Sequence, residues 1–440
     1  MEARLTARSA TFQRLMADTT MAASNSGLRK EVTMRHAVAL YMSSVLGSGI
    51  LILPGLAAQI AGPASLIAWA ILSLASYPLA YMFATLSARR PESGGVYSFA
   101  KESFGPRAAN AVAWLFILWD IAGAPAVMII AASYLAYALP LDRTIVYLVA
   151  GLLLIGTFAV NYRGILVSSR VQMILIAAIT ALLIVAVAAS SLLVRPENFQ
   201  PFLPHGIIPI GTAAALIFWS YLGYENVSNI AEEFKNPQRD FHRSIVLSVL
   251  LISVLYFSVA LTTVGTRAYE AGGSVAPFAA MLSNALGTYG AIATAILAVV
   301  IIFGTVNAYQ TGMSRVVYAA AKEGGLPKTI AQLDEKTGVP KNSLLLLLGL
   351  SLVVLTLFFS FNVDLQTALL IPSGAAILIY VAGAAAGVKL MRGERKKRIF
   401  PWISLIISTA MLPFVGVLLL AAIPFALLGA LYKRNQSGLT

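Results

Sequence analysis

Long uninterrupted apolar runs limit this chain more than any other feature. Runs of roughly 18 to 28 residues follow one another from end to end, and a helix needs only ~20 to cross the ~30 Å hydrocarbon core of a bilayer. They fall at about 37–61, 64–88, 108–139, 143–161, 168–194, 208–232, 243–266, 287–320, 343–360 and 365–389. A further 33 residues from Phe400 to Tyr432 would measure about 50 Å as one helix, so the sequence predicts two short spans meeting near Pro413. The expectation is an all-α membrane protein with about twelve transmembrane helices. Its parts would be a cytoplasmic N-terminal tail (1–35), a core (36–390), a basic cytoplasmic loop (391–399), two short C-terminal helices (400–433) and a cytoplasmic tail (434–440).

Charge separates this reading from its rivals. Hydrophobic residues make up 59% of the chain and charged ones 11%, against about a quarter charged in soluble domains, which excludes an ordinary soluble enzyme. The net charge of +13 could suggest a nucleic-acid partner, but the 31 Lys and Arg residues sit at span ends. All but Arg143, Arg195 and Arg267 fall in alternate intervals. That bias is the positive-inside pattern, with both termini cytoplasmic and no nucleic-acid role, in a cell (inner) membrane. The basic knot from Arg392 to Arg398 is placed to meet anionic lipid as a secondary effect. The first 30 residues lack the apolar core of a cleavable secretory signal. No cysteine is present, and His36, His205 and His242 fall on opposite sides, so the sequence calls for no metal, cofactor or catalytic triad. A channel would need rings of charge or a repeated carbonyl filter, and nothing in the sequence has that form.

Two runs are interrupted at corresponding places, five spans apart. Gly47, Ser48 and Gly49, followed by Pro54 and Gly55, break the first; the stretch from Ser220 to Tyr224, with Gly223 between aromatics, breaks the sixth. Small-residue packing could explain the glycines alone. Paired breaks favour an inverted-repeat transporter, because unwound backbone is tolerated in a bilayer only where it lines a cavity. The repeats would span about 36–195 and 207–390.

At these residues the chain resembles the amino acid, polyamine and organocation transporter superfamily. The resemblance rests on Gly47-Ser48-Gly49-Ile50 with Pro54, on Pro91-Glu92-Ser93-Gly94-Gly95-Val96-Tyr97, on Ala231-Glu232-Glu233-Phe234-Lys235-Asn236-Pro237-Gln238-Arg239, and on Ser314-Arg315 through Gly324-Gly325-Leu326-Pro327-Lys328. Within the superfamily it is most similar to bacterial exporters of methionine and branched-chain amino acids, then to arginine/agmatine-type exchangers. The fold implied is the five-plus-five inverted repeat of the leucine-transporter type, with helices 1 and 6 discontinuous. The function implied is secondary transport of amino acids by alternating access as permease, exporter or exchanger, proton-linked or exchange-driven, with a polyamine or organic-cation antiporter as the alternative. The oligomeric state is left open.

The resemblance also implies a site. Backbone N–H groups of Ser48, Gly49 and Ile50 would hold a substrate carboxylate, and carbonyls of Val45, Trp219 and Leu222 an ammonium, with Gly47 and Gly49 admitting the ligand. Ser220 and Tyr309 would join this substrate-binding set. Trp219, Tyr221 and Tyr224 offer apolar and cation–π faces. Two acids inside spans, Asp120 and Glu225, are functional candidates by position, and with Tyr221 they are assigned to coupling or gating. Several relatives carry a lysine seven residues after a Val-Gln pair; here the pair is Val171-Gln172 and the position is Ile179, so coupling falls to the acids or to plain exchange. Thr311 and Ser314 offer hydroxyls to sodium without a full oxygen set. Arg239, Arg243 and Arg315 are expected to pair with Glu232, Glu233 and Glu92, and Pro91 to Tyr97 to form turns.

Overall fold

A computed structural model of the chain describes residues 34, 38, 41–42, 45–89, 95–163, 169–227, 237–270, 273–393 and 397–432. A chain this apolar must satisfy its peptide groups internally, and helices do so within one segment. The described residues form helices joined by short turns, without a strand. In chain order these are α1 (Ser48–Ala61), α2 (Ser65–Arg89), α3 (Gly95–Phe104), α4 (Pro106–Ala138), α5 (Arg143–Tyr162), α6 (Ser169–Ser191) and α7 (Ile208–Ile217). They continue with α8 (Tyr224–Val227), α9 (Pro237–Gly265), α10 (Pro277–Lys322), α11 (Lys341–Ser360), α12 (Leu365–Leu390), α13 (Ile399–Val415) and α14 (Ala422–Leu431).

Among the described residues, nine stretches are long and apolar enough to cross a membrane, and Ile208–Tyr221 is a shorter apolar helical stretch. Large apolar side chains point outward over the surface, with Leu74 79% exposed and Leu192 92%. So wide an apolar exterior suits lipid rather than water. The interior centres on α4, which packs against α10, α12, α14, α5, α3 and α11. This long helix is therefore surrounded by protein, and it carries Asp120.

Several boundaries differ from the sequence expectation. The C-terminal pair divides at Gly416 (φ 66°, ψ −145°), three residues beyond Pro413, because the left-handed corner is one only glycine adopts cheaply. The eighth run starts at Pro277 rather than 287, with a kink at Gly287 that joins a short arm to the long helix. Gly95, Val96 and Tyr97 open α3 instead of forming a turn; 91–94 lie outside the described residues, as do Glu92, Glu232 and Glu233, so the proposed gate pairs fall outside them too. Arg315 donates to the Thr311 carbonyl at 3.2 Å.

The connecting segments sort into two sets. Lys101 reaches Glu323 at 2.9 Å, Lys389 donates to the Ser103 carbonyl at 2.6 Å, and Lys341 lies 4.9 Å from the Tyr162 ring. In the other set Arg143 donates to the Phe359 carbonyl at 2.8 Å, and the Arg195 N–H to the Gly265 carbonyl at 3.0 Å. Contacts thus join alternate intervals, the division that the Lys and Arg bias marks in the sequence.

Candidate substrate cavity between two interrupted helices

The first break lies at Leu46 and Gly47. Met42 and Val45 are helical before it, and Gly47 is extended (φ −105°, ψ −156°). The helix restarts at Ser48 with no side chain capping its end, so the first-turn N–H groups of Ser48, Gly49 and Ile50 have no acceptor within the helix. They form the positive end of the α1 dipole.

The second break is longer. After α7 the chain tightens into a 3₁₀ turn (Phe218–Tyr221), then Leu222 is extended (φ −76°, ψ 152°) and Gly223 takes φ 120°, which side-chain-bearing residues rarely adopt. Glu225 accepts the Gly223 N–H at 2.9 Å and the Tyr380 hydroxyl through the same oxygen. Its carboxylate therefore ties down the break and does not line the cavity described below.

Helices α1 and α7 pack directly together, and Gly49 lets α1 approach the 3₁₀ turn that follows α7. A Cβ on Gly49 would lie 2.8 Å from Ser220 Oγ and 2.9 Å from Trp219 Cδ1. Tyr256, on α9, connects the two breaks: its hydroxyl donates to the Val45 carbonyl at 2.8 Å and lies 3.2 Å from the Ser220 carbonyl. Tyr256 also packs edge-on against Trp69 and Tyr221, whose ring centroids lie 5.6 and 5.3 Å away. Tyr221 in turn shares a 2.7 Å hydrogen bond with Ser73.

Between the breaks and helices α4 and α10 lies a partly open cavity of about 60 Å³. Of the residues singled out in the sequence, Val45, Gly47, Ser48, Gly49, Asp120, Trp219, Leu222 and Tyr309 line it. Ile50, Ser220, Tyr221 and Glu225 are buried beside it without lining it. Tyr224 is also buried, 6.3 Å from Tyr41.

Sequence reasoning passed over Trp119, Gly123, Thr305, Gln310 and Met313, which complete the walls, and Tyr256 behind them. Trp119 carries the same signal as Trp219: an indole near the middle of an apolar run, where an interfacial aromatic belt does not reach. It stands 6.1 Å from Trp219 and 6.1 Å from Tyr309, edge to face. Gly123 lets the far edge of Trp219 approach α4: a Cβ there would meet Cη2 at 2.7 Å.

Asp120 is the carboxylate among the lining residues, and it is 5% exposed. Its Oδ1 accepts from Gln310 Nε2 at 3.1 Å, while Oδ2 has no hydrogen-bond partner among the described residues. Thr311 and Ser314 are already engaged, donating to Asn161 Oδ1 at 2.6 Å and to the Thr311 carbonyl at 3.0 Å. Among the described residues, no cluster of His, Cys, Asp and Glu could hold a metal ion.

Comparison with known proteins identifies the family. The family described as amino acid permease matches residues 33–437. The chain is 33% identical over 414 residues to the amino acid permease YecA of Bacillus subtilis, covering 93% of this chain and 97% of that protein. It is 30% identical to the L-methionine/branched-chain amino acid exporter YjeH of Escherichia coli, over 84% of this chain and 88% of the exporter. The branched-chain amino acid permease BcaP of Bacillus subtilis is 29% identical over 71% of each chain. The chain belongs to the amino acid permease family, a branch of the amino acid, polyamine and organocation superfamily of transporters.

Proposed function

We propose that this chain is a secondary transporter that carries amino acids across a cell membrane by alternating access, driven by protons or by exchange. The observation that carries the reading is the cavity bounded by two helix breaks, where the uncapped first turn of α1 meets aromatic walls. Ionised side chains are expensive at mid-depth, and free peptide N–H groups offer a carboxylate a cheaper partner. Ser48, Gly49 and Ile50 would hold the carboxylate, and Trp219, Trp119 and Tyr309 would enclose the rest of the ligand. The likeness to a methionine/branched-chain amino acid exporter and to a branched-chain amino acid permease supports a small, largely apolar amino acid.

The proposed topology has twelve crossings and a five-plus-five inverted repeat. Dividing Ser48–Ser87 at Gly62, dividing Ile399–Leu431 at Gly416 and adding the interrupted Ile208–Tyr221 stretch brings the nine apolar stretches to twelve. Both termini would face the cytoplasm, on the Lys- and Arg-rich side. Glu225, bonded to Gly223 and Tyr380, would serve the gate by holding the second break in shape.

Counterflow into proteoliposomes preloaded with a panel of amino acids and polyamines tests the reading, with pH and sodium gradients varied separately. Saturable exchange of at least one amino acid supports it. Fluxes equal to those of protein-free vesicles across the panel would overturn it.

A further inference from the structure

We propose that Asp120 is the ammonium site of this cavity, and that the same carboxylate carries a proton when no ammonium is bound, so that loading an amine releases that proton. The inference rests on reading the cavity as an amino acid site and adds the partner of the ligand's positive end.

A carboxylate walled in by Trp119, Trp219, Val127 and Met313 cannot stay charged and alone, because burying an uncompensated charge costs more than a fold can carry. No Lys, Arg or His is among the residues lining the cavity. The titratable groups presented by neighbouring elements are few. Tyr309 of α10 lines the same cavity, while Tyr380 of α12 and Glu225 of α8 are bonded to each other. On the other elements packed against α4, Tyr97, Lys101 and Glu102 of α3, Arg143 and Tyr162 of α5, and Lys341 of α11 lie in terminal turns, as do Arg107 and Tyr137 of α4 itself and Lys389 of α12, while Tyr147, one turn into α5, packs on Phe359. Tyr289, Arg315, Tyr318 and Lys322 of α10 and Tyr134 of α4 are likewise absent from the cavity wall. Asp120 must therefore be neutralised by a proton or by a cation that enters.

Of the three carbonyls at the breaks, those of Val45 and Trp219 are poorer partners for an ammonium than the sequence suggests. Val45 already accepts from the Gly47 N–H at 2.7 Å and the Tyr256 hydroxyl at 2.8 Å, which occupies both lone pairs. The Trp219 carbonyl accepts the Leu222 N–H at 3.3 Å. Asp120 Oδ2 and Gln310 Oε1, by contrast, are acceptors without partners among the described residues, in the same corner of the cavity. Trp119, Trp219 and Tyr309 add faces for a cation.

Gln310 can serve both states. Its Nε2 donates to a charged Asp120; rotated, its Oε1 can accept from a protonated one. In the exchange, the Asp120 O–H bond breaks, its electron pair stays on the carboxylate, the proton leaves to water on the open side, and ammonium N–H groups donate to the freed oxygen. Asp120 is neutralised before and after.

The test is proton release on binding. Purified protein in weakly buffered detergent with a pH indicator is titrated with L-leucine, L-lysine or putrescine. Near one proton per bound ligand is expected, with Kd tightening as pH rises, and Asp120→Asn should abolish release and the pH dependence while weakening binding at least about tenfold. Asp120→Glu should restore release, which separates a lost carboxylate from a misfolded variant. Release with L-leucine assigns the α-ammonium; release with L-lysine and putrescine only assigns a side-chain amine. Proton release with none of the probes that bind, or release that persists in Asp120→Asn and vanishes in Glu225→Gln, would overturn the proposal. If no probe binds the wild type, the amino acid reading falls, and this inference with it.

Discussion

Gly49→Ala isolates the close approach of the two breaks. The added Cβ would lie 2.8 Å from Ser220 Oγ, 2.9 Å from Trp219 Cδ1 and 3.2 Å from Ser220 Cα, where carbon contacts are optimal at about 3.5–4.0 Å. The serine hydroxyl can rotate aside. The indole cannot, because its far edge rests on Gly123 and its flank on Trp119. The breaks must then separate by about half an ångström, and overpacking of this kind costs roughly 1–3 kcal/mol. Where that strain is relieved by displacing the first turn of α1 from the ligand, the same energy is a loss of about 5- to 150-fold in affinity or transport rate, at tenfold per 1.4 kcal/mol. Alanine in place of glycine also favours the helix by up to ~1 kcal/mol, so thermal stability should fall by less than transport does. The assay is uptake into proteoliposomes per reconstituted protein, beside a melting curve. Gly349→Ala, where nothing lies within 4 Å, is the matched control and should transport normally. Wild-type affinity and rate in Gly49→Ala would refute the argument that glycine stands there to let the breaks meet.

Other outcomes follow from single contacts. Ser48→Trp fills the cavity from the first turn of α1 and should abolish transport while leaving expression and melting unchanged. Tyr256→Phe removes the hydroxyl that bonds the Val45 carbonyl, so stability should fall by about 0.5–1.5 kcal/mol and transport should slow, both read on the same preparation. Glu323 sits where burial pulls its pKa up, yet the Tyr97 hydroxyl at 2.5 Å and Lys101 at 2.9 Å pull it down further, leaving it below the ordinary carboxylate value. The sign is therefore stabilisation at pH above the ordinary carboxylate range, lost as pH falls through the lower folded value. Lys101→Met should lose part of that increment at neutral pH and show a flatter acid limb in melting temperature against pH.

Hydropathy made the long spans readable because a continuous apolar run has one stable form in lipid. It could not place the corner at Gly416 or the arm that begins at Pro277, since these depend on backbone angles and on mixed Ala, Ser and Asn residues without a strong period. In the cavity, Gly47 and Gly49 were legible because the break they make is matched by another five spans on, and Trp219 because an indole at mid-depth does not suit an interfacial belt. Tyr256 was not: one hydroxyl in a run such as Leu255, Tyr256 and Phe257 carries no sign that it reaches two carbonyls on other segments. Asp120 and Glu225 look alike in sequence as intramembrane acids. Tertiary packing separates them, one facing the cavity and the other bonded to Gly223 and Tyr380.

The most direct test of peptide recognition is an experimental structure with a transported amino acid bound at saturation. The ligand carboxylate should lie about 2.7–3.2 Å from the amide nitrogens of Ser48, Gly49 or Ile50, with the first and sixth helices both broken around it. A ligand seated elsewhere, or those helices continuous through Gly47 and Gly223, would contradict the account.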